Sequence, residues 1–499
     1  MPRRLIDTLL GLRHRVERLP LSSGLRRREL LKLGLISASG LLSAMVPHPS
    51  LAIEAAARRR VIVVGAGFSG LACAYELTSA GYDVKVFEAR KRVGGRVLSL
   101  KELVPGKNVE GGGELLGSNH PLVLAYAAKF GFEFLDVSDD DAPAPTILEG
   151  RKLTGAEVKS ISAEIDAALA GMNADARAVV ADEPWKTPDA ERLDKLTTAE
   201  WIRRLEISPL AKTLLTLQFM TDNGVATSLQ SQLGNLAQVK GGGLEKYWTD
   251  TEVYRLKGGN QQFALRFAKE LGDERLTLNC PVREITATGA GMTVVDAEDN
   301  RHEADDVVLA IPPSVWSTIK FSPALPKILD PQMGMNVKFL SVVKSRFWRE
   351  TKLSPDAYTD GDIGMTWEAT DGQGDDGPAV MTSFSGGTAA EAIHRRAADE
   401  RQPTYLKELE ALYPGFGEQF VEGQMMDWMG DPWTRAGYSF PAPGQVTTIG
   451  PALQQGIGRL HFAGEHTCYQ FVGYMEGALH SGIALAKRLA ARDGLTPKS

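Results

Sequence analysis

Residues 60–70 read Arg-Val-Ile-Val-Val-Gly-Ala-Gly-Phe-Ser-Gly, and the fold follows from how this stretch is read. Residues 60–65 form a short apolar run rich in β-branched side chains, with no polar alternation, which is the pattern of a strand buried on both faces. Gly65, Gly67 and Gly70 then fall at dinucleotide-binding spacing. The first permits a tight exit from the strand, the second lets the backbone approach a pyrophosphate, and the third lets helix and strand pack closely. A helix-compatible segment, 71–80, follows with its N-terminus facing the phosphates. Gly81 and a returning strand, 83–88, complete one βαβ unit. Glu88 ends that strand, where a carboxylate accepts ribose hydroxyls and repels a 2′-phosphate, which argues against NADP.

Outward from this unit, the 499 residues suit two interleaved domains of ordinary size. No apolar run approaches the roughly 20 residues a bilayer span needs, so stable membrane insertion is not expected. The net charge is −6, yet residues 1–52 carry nine basic residues against three acids. The body is therefore more acidic than the whole, which argues against a nucleic-acid partner. In that basic leader, Arg27-Arg28-Glu29-Leu30-Leu31-Lys32 precedes a mildly apolar stretch, 33–46, and a small-x-small pattern at Ser50-Leu51-Ala52. It resembles a twin-arginine export signal, which implies a periplasmic or secreted protein carried out already folded around its cofactor. The alternative is a basic, amphipathic arm. Cys73, Cys280 and Cys468 are widely spaced and form neither a metal motif nor a disulfide framework. Cys73 is expected to be a buried small hydrophobe.

Downstream, residues 275–279, 292–296 and 306–310 read as strands with alternating character. Two long segments, 119–252 and 316–444, have helical character. The expected fold is α/β in two parts: a Rossmann-like FAD-binding domain from 58–118, 253–315 and 445–495, interleaved with a substrate-binding domain of mixed sheet and helices from 119–252 and 316–444. The patch Asp139-Asp-Asp-Ala-Pro-Ala-Pro145 reads as a solvated loop. His120 before Pro121 suits a helix cap followed by proline at the first helical position.

Three further stretches carry a resemblance. Glu88-Ala-Arg90-Lys-Arg92-Val-Gly94-Gly95-Arg96 adds a second glycine pair and arginines that a nicotinamide site has no need of. Phe462-Ala-Gly-Glu465 and Gly473-Tyr-Met-Glu-Gly-Ala478 form a closing segment. Gly334-Met-Asn-Val-Lys338 precedes Arg346-Phe-Trp348. Together they resemble the flavin amine oxidase family, over roughly residues 58–490. The resemblance implies FAD held by Gly65, Gly67, Gly70, Glu88, Arg90, Gly95, Arg96, Gly112, Gly113, Glu114, Val282, Glu465 and the Met475 backbone amide. It also implies a helix starting at Met475 whose positive end faces the flavin's N1–C2 edge. Lys338 would reach flavin N5 through a water, and Tyr438 and Tyr474 would form the walls of an aromatic cage.

Two positions depart from family patterns. Gly437 stands where mammalian monoamine oxidases carry the cysteine that attaches FAD, which implies noncovalent FAD. Leu115 stands where L-amino acid oxidases place a carboxylate-binding arginine. Glu114 would either help hold a cation or cap a turn. The reaction implied is oxidative deamination of an amine by O2, giving imine or carbonyl product, ammonia or amine, and hydrogen peroxide. One alternative is an L-amino acid oxidase whose arginine comes from residues 200–260; another is a flavin carrier without turnover. The partners expected are a small amine or amino acid and O2, with a homodimer left open and no metal.

Overall fold

A computed structural model describes residues 58–137, 142–289 and 291–495. The predicted leader, 1–52, and residues 139–141 of the acidic patch lie outside them. In chain order the elements that build the site are β1 (Arg60–Val64), α1 (Phe68–Ser79), β2 (Asp83–Phe87), α2 (Pro121–Phe130), β3 (Asp306–Leu309), β4 (Asn336–Val343), β5 (Ala379–Gly386), β6 (Phe420–Asp427), β7 (Leu460–Phe462) and α3 (Met475–Arg492).

The first sheet runs β7-β3-β1-β2 and ends on the short strand Leu276–Thr277, with every pair parallel. β1 is buried on both faces, as its composition predicts. Val61 and Val63 pack with Leu71 and Leu77 of α1 and Leu479 and Ile483 of α3. Ile62 and Val64 pack on the opposite side with Leu309, Phe462 and Trp316. Each fully buried aliphatic chain contributes on the order of 1.5–3 kcal/mol. The 306–310 run is seen as β3 and the 292–296 run as Met292–Asp296, but both are buried along their whole length, so no half-exposed alternation exists. The strand expected over 275–279 shrinks to Leu276–Thr277, because Asn279 turns into the left-handed region at φ 52°.

The second sheet has seven strands, in the order β6-β4-β5-(Met365–Glu368)-(Ala357–Thr359)-(Thr146–Leu148)-(Arg151–Lys152). Helical character was expected across 316–444, and the structure corrects this: the segment supplies five of the seven strands. Its longer helices are Thr388–Arg395 and Ala398–Leu412. The reason is that β4 and β5 are buried at every position, which erases the period-two signal. The 119–252 segment is mostly helical, as read, with Gly155–Ala176 its longest element.

α1 and α3 cross where their backbones nearly touch. Ser69 Oγ and Ser481 Oγ lie 2.9 Å apart, and Ser481 Oγ also accepts the Gly464 amide. A methyl group on Gly482 would sit 2.2 Å from the Ser69 carbonyl oxygen. Gly482→Ala is therefore expected to force the helices apart and cost about 1–3 kcal/mol. A lowered thermal unfolding midpoint in the purified variant checks this, and an unchanged midpoint contradicts it.

Candidate active site

The glycine turn opens the site. Gly65 takes φ 106°, and a Cβ on Gly70 would stand 2.0 Å from the Gly65 carbonyl oxygen, so the third glycine closes the helix onto the turn. Gly65 and Gly67 line a large cavity, and Gly67 has open space where a side chain would be. The second glycine pair folds onto the first: Gly94 donates to the Ala66 carbonyl and forms a bridge with Gly67. Glu88, buried at the end of β2, accepts from the Ala66 and Arg90 amides and reaches the same cavity, as does Val282.

The charges at this end are paired. Arg90 bonds Asp431 at 2.5 Å and Thr434 at 2.7 Å, so it is held to the second lobe as well as lining the cavity. Arg96 donates to Glu465 at 2.9 Å and to the Gly437 carbonyl. Glu465 also accepts the Ser439 hydroxyl at 2.6 Å and the Gly473 amide at 2.9 Å. Burial pushes Glu465 up, and Arg96 with these donors more than offsets it, so its carboxyl is held low. Its lone pairs are largely committed to protein donors, and it organises the Ser439 and Gly473 turns.

Beside Glu465, His466 is buried at 3% exposure on the cavity wall, and neither ring nitrogen has a partner. Burial pushes the imidazole down to about 4, so it is neutral. A buried orphan donor and acceptor costs free energy unless a ligand supplies partners. An open glycine cradle beside an unpartnered imidazole fits a nucleotide with hydroxyl and phosphate groups.

At the other end, Lys338 projects from β4 with its ammonium fully used: Gly112 O at 2.8 Å, Glu110 O at 3.3 Å and Glu114 Oε2 at 2.7 Å. Glu114 also accepts Arg255 Nε at 2.9 Å and Trp367 Nε1 at 2.8 Å, so its carboxylate is taken up by the protein's own donors. Gly112, Gly113 and Glu114 line the cavity, and the Met475 side chain lies over Gly113. α3 starts at Met475.

Tyr438 and Tyr474 face the same cavity. The Tyr438 hydroxyl donates to the Asp222 carbonyl at 2.7 Å and accepts from Asn336 Nδ2 at 3.2 Å. Tyr474 is hydrogen-bonded to Tyr247, and its ring meets His120 edge-on at 5.6 Å. Burial raises both phenols, which stay protonated. His120 caps α2 by position, but its Nδ1 accepts the Gly117 amide instead of a helix amide. Cys280 lines the cavity with its thiol pushed up to about 11 by burial and by Asp296; Cys73 is buried and unpaired.

Sequence reasoning missed Asn336, Asp222, Glu252, Gln238 and His466, all on the cavity wall. Asn336 was within reach, since it sits two positions before Lys338 and shares that face of the strand. The acids belong to no motif. Arg255 is the buried arginine of the 200–260 stretch, and it is spent on Glu114, Asp371 and the Glu368 carbonyl.

A parallel sheet with a glycine turn, a closing helix and a second lobe over the cavity give the architecture of a two-lobed enzyme built around one large cavity. Residues 68–490 match the family described as flavin containing amine oxidoreductase. The chain belongs to that family, and its cofactor is a flavin. It is 30% identical over 458 residues to the flavin-containing amine oxidase B of Canis lupus familiaris, covering 88% of this chain and 87% of that one. Among solved structures it is similar to putrescine oxidase bound to putrescine, with TM-score 0.77, 26% identity and coverage of 87% and 99%. It is also similar to cyclohexylamine oxidase from Brevibacterium oxydans IH-35A, with TM-score 0.77, 26% identity and coverage of 88% and 100%.

Removing Glu114 would leave Lys338 and Arg255 buried without their shared anion, so Glu114→Ala is expected to cost about 3–5 kcal/mol in urea unfolding. Glu114 is held below its ordinary value of 4.5 by Lys338 and Arg255 despite the opposing effect of burial. The contribution is therefore present above that pH and fades as pH falls toward the depressed value. A wild-type unfolding midpoint for the variant at pH 7 would contradict the assignment.

Proposed function

We propose that the flavin is FAD, bound without a covalent link, and that the enzyme oxidises small amines at the carbon next to nitrogen with O2 as acceptor. The observation that carries this reading is one cavity lined both by the nucleotide elements, Gly65 to Glu88, and by Lys338, Tyr438 and Tyr474. The chemistry the flavin supplies when bound is two-electron oxidation of the amine, giving an imine and, with O2, hydrogen peroxide.

The protein's own residues do the rest. Tyr438 and Tyr474 present aromatic faces that orient the amine and exclude water. Lys338, fixed by Glu114, keeps a positive charge on the cavity floor, and the α3 N-terminus adds a second positive end where negative charge develops on reduction. FAD is favoured over a nicotinamide by the Gly94-Gly95-Arg96 segment that folds onto the glycine turn. Noncovalent binding is favoured by glycine at 437, which carries no thiol to form a tether and where a Cβ would stand 2.0 Å from Asn336 Oδ1. The amino-acid reading loses support: Leu115 lines the cavity, and Arg255 is committed elsewhere.

Acid precipitation of the holoenzyme is expected to release all the flavin as FAD, and colour retained in the pellet contradicts noncovalent binding. Anaerobic mixing with amines is expected to bleach the flavin, with recovery in air. Lys338→Met should keep FAD yet reoxidise about tenfold or more slowly; bleaching by amino acids alone would overturn the amine reading.

We also propose export by the twin-arginine route, on Arg27 and Arg28 of the leader. Replacing both with lysine is expected to hold the full chain in the cytoplasmic fraction, and unchanged fractionation would defeat the proposal.

A further inference from the structure

Oxidation at the carbon next to nitrogen draws on the nitrogen lone pair, whereas aliphatic amines are ammonium ions in neutral water, so one proton has to leave the nitrogen first. Several carboxylates on the cavity wall are in no position to receive it. Glu114 is bonded to Lys338 and Arg255, Glu465 to Arg96 and Ser439, and Glu88 to the Ala66 and Arg90 amides. His466 packs edge-on against Trp316 beside Glu465, at the nucleotide end.

Asp222 differs from these. It stands in the last turn of the helix Pro209–Asn223, half-buried, and lines the cavity. Its Oδ1 is enclosed and has no hydrogen-bond partner. The carboxyl is near enough to Tyr438 and Tyr474 to raise both phenols beyond what burial does. The Tyr438 hydroxyl donates to the Asp222 carbonyl at 2.7 Å, so the carboxyl and one wall of the tyrosine pair are fixed through the same residue. The other titratable groups facing it are Tyr247 of the helix Glu245–Asp250, whose phenol is also raised, and Glu252 in the turn before the strand Tyr254–Leu256. Burial and Glu252 push Asp222 up to about 7, which lets one carboxyl both take a proton and give it back near neutral pH.

We propose that Asp222 is the proton acceptor that turns the bound substrate ammonium into the free amine from which oxidation starts. The proposal rests on the amine-oxidation reading above. One ammonium N–H bond breaks, its proton forms an O–H bond on Asp222, and the bonding pair stays on nitrogen. The neighbouring carbon then gives a hydride equivalent to the flavin, which leaves the substrate as an iminium ion. Asp222 passes its proton to water when the site reopens. Separated charges are costly in a cavity that excludes water, so the neutral acid and amine are favoured over a carboxylate–ammonium pair. A carboxylate in this place therefore promotes the transfer instead of trapping the cation.

The test is anaerobic flavin bleaching of the FAD-loaded full chain at saturating amine, between about pH 6 and about pH 10, with whichever of the n-alkylamines and benzylamine bleaches wild type fastest. The wild-type rate is expected to fall as pH drops through about 7, because the protonated carboxyl accepts nothing. Asp222→Asn is expected to bleach about tenfold or more slowly near neutral pH and to recover to within about twofold at the alkaline end, where the amine arrives neutral. FAD content reports whether the variant is folded. A variant slowed by one factor at every pH marks a structural role and overturns the acceptor, as does a variant with the wild-type profile. A wild-type rate that stays flat through pH 7 overturns it without any variant. If no amine bleaches wild type, the amine-oxidation reading itself fails and the acceptor with it; bleaching without these pH effects sinks only the acceptor.

Discussion

A buried carboxylate shared by two cations holds the lobes together beneath the cavity. Glu114 comes from the loop after the first glycine-rich unit, Lys338 and Trp367 from the seven-stranded sheet, and Arg255 from the strand Tyr254–Leu256. Isolated burial would keep any of these charges neutral or exposed; together they compensate one another, at the cost of strict geometry. The Lys338 ammonium also binds the Glu110 and Gly112 carbonyls, and Trp428 Nε1 takes the Gly111 carbonyl. A run of three glycines, floppy in isolation, is therefore held in one conformation. The cavity floor and the Met475 side chain above it depend on that conformation.

The same economy governs the entrance to α3. Glu476 is fully buried in the first turn of this helix, and its two oxygens accept the Leu122 and Val123 amides of α2. One carboxyl thus caps the neighbouring helix while holding the start of its own against the cavity. Burial raises this carboxyl to about 7, partly offset by the two amides that it accepts.

How much of this was legible in sequence follows from how local each signal is. The β1–α1–β2 unit and the closing segment were readable because glycines at fixed spacing have backbone roles that leave few alternatives. Lys338, Tyr438 and Tyr474 were placed by resemblance, and the structure brings all three to one cavity. The mixed sheet and helices of the second lobe were expected, but the strands within 316–444 were missed because β4 and β5 are buried on both faces, so an eight-residue strand such as Ala379–Gly386 carries no alternation. Asp222 and Glu252 were invisible for a different reason. One ends a helix and the other sits in a turn, where an acid is ordinarily solvated, and only the tertiary fold turns both inward.

The Gly437–Tyr438 step ties cofactor attachment to substrate geometry. Asn336 fills the space that a side chain at position 437 would need, and its amide donates to the Tyr438 hydroxyl. A Cβ at 437 would press on the Asn336 side chain, one of the two groups that bond the Tyr438 hydroxyl, the other being the Asp222 carbonyl. In this chain, then, a side chain at that position would require Asn336 to shift. Tyr438 is left free to be set by the substrate side, through Asn336 and the Asp222 carbonyl, which is where the cavity's unmatched acceptors lie.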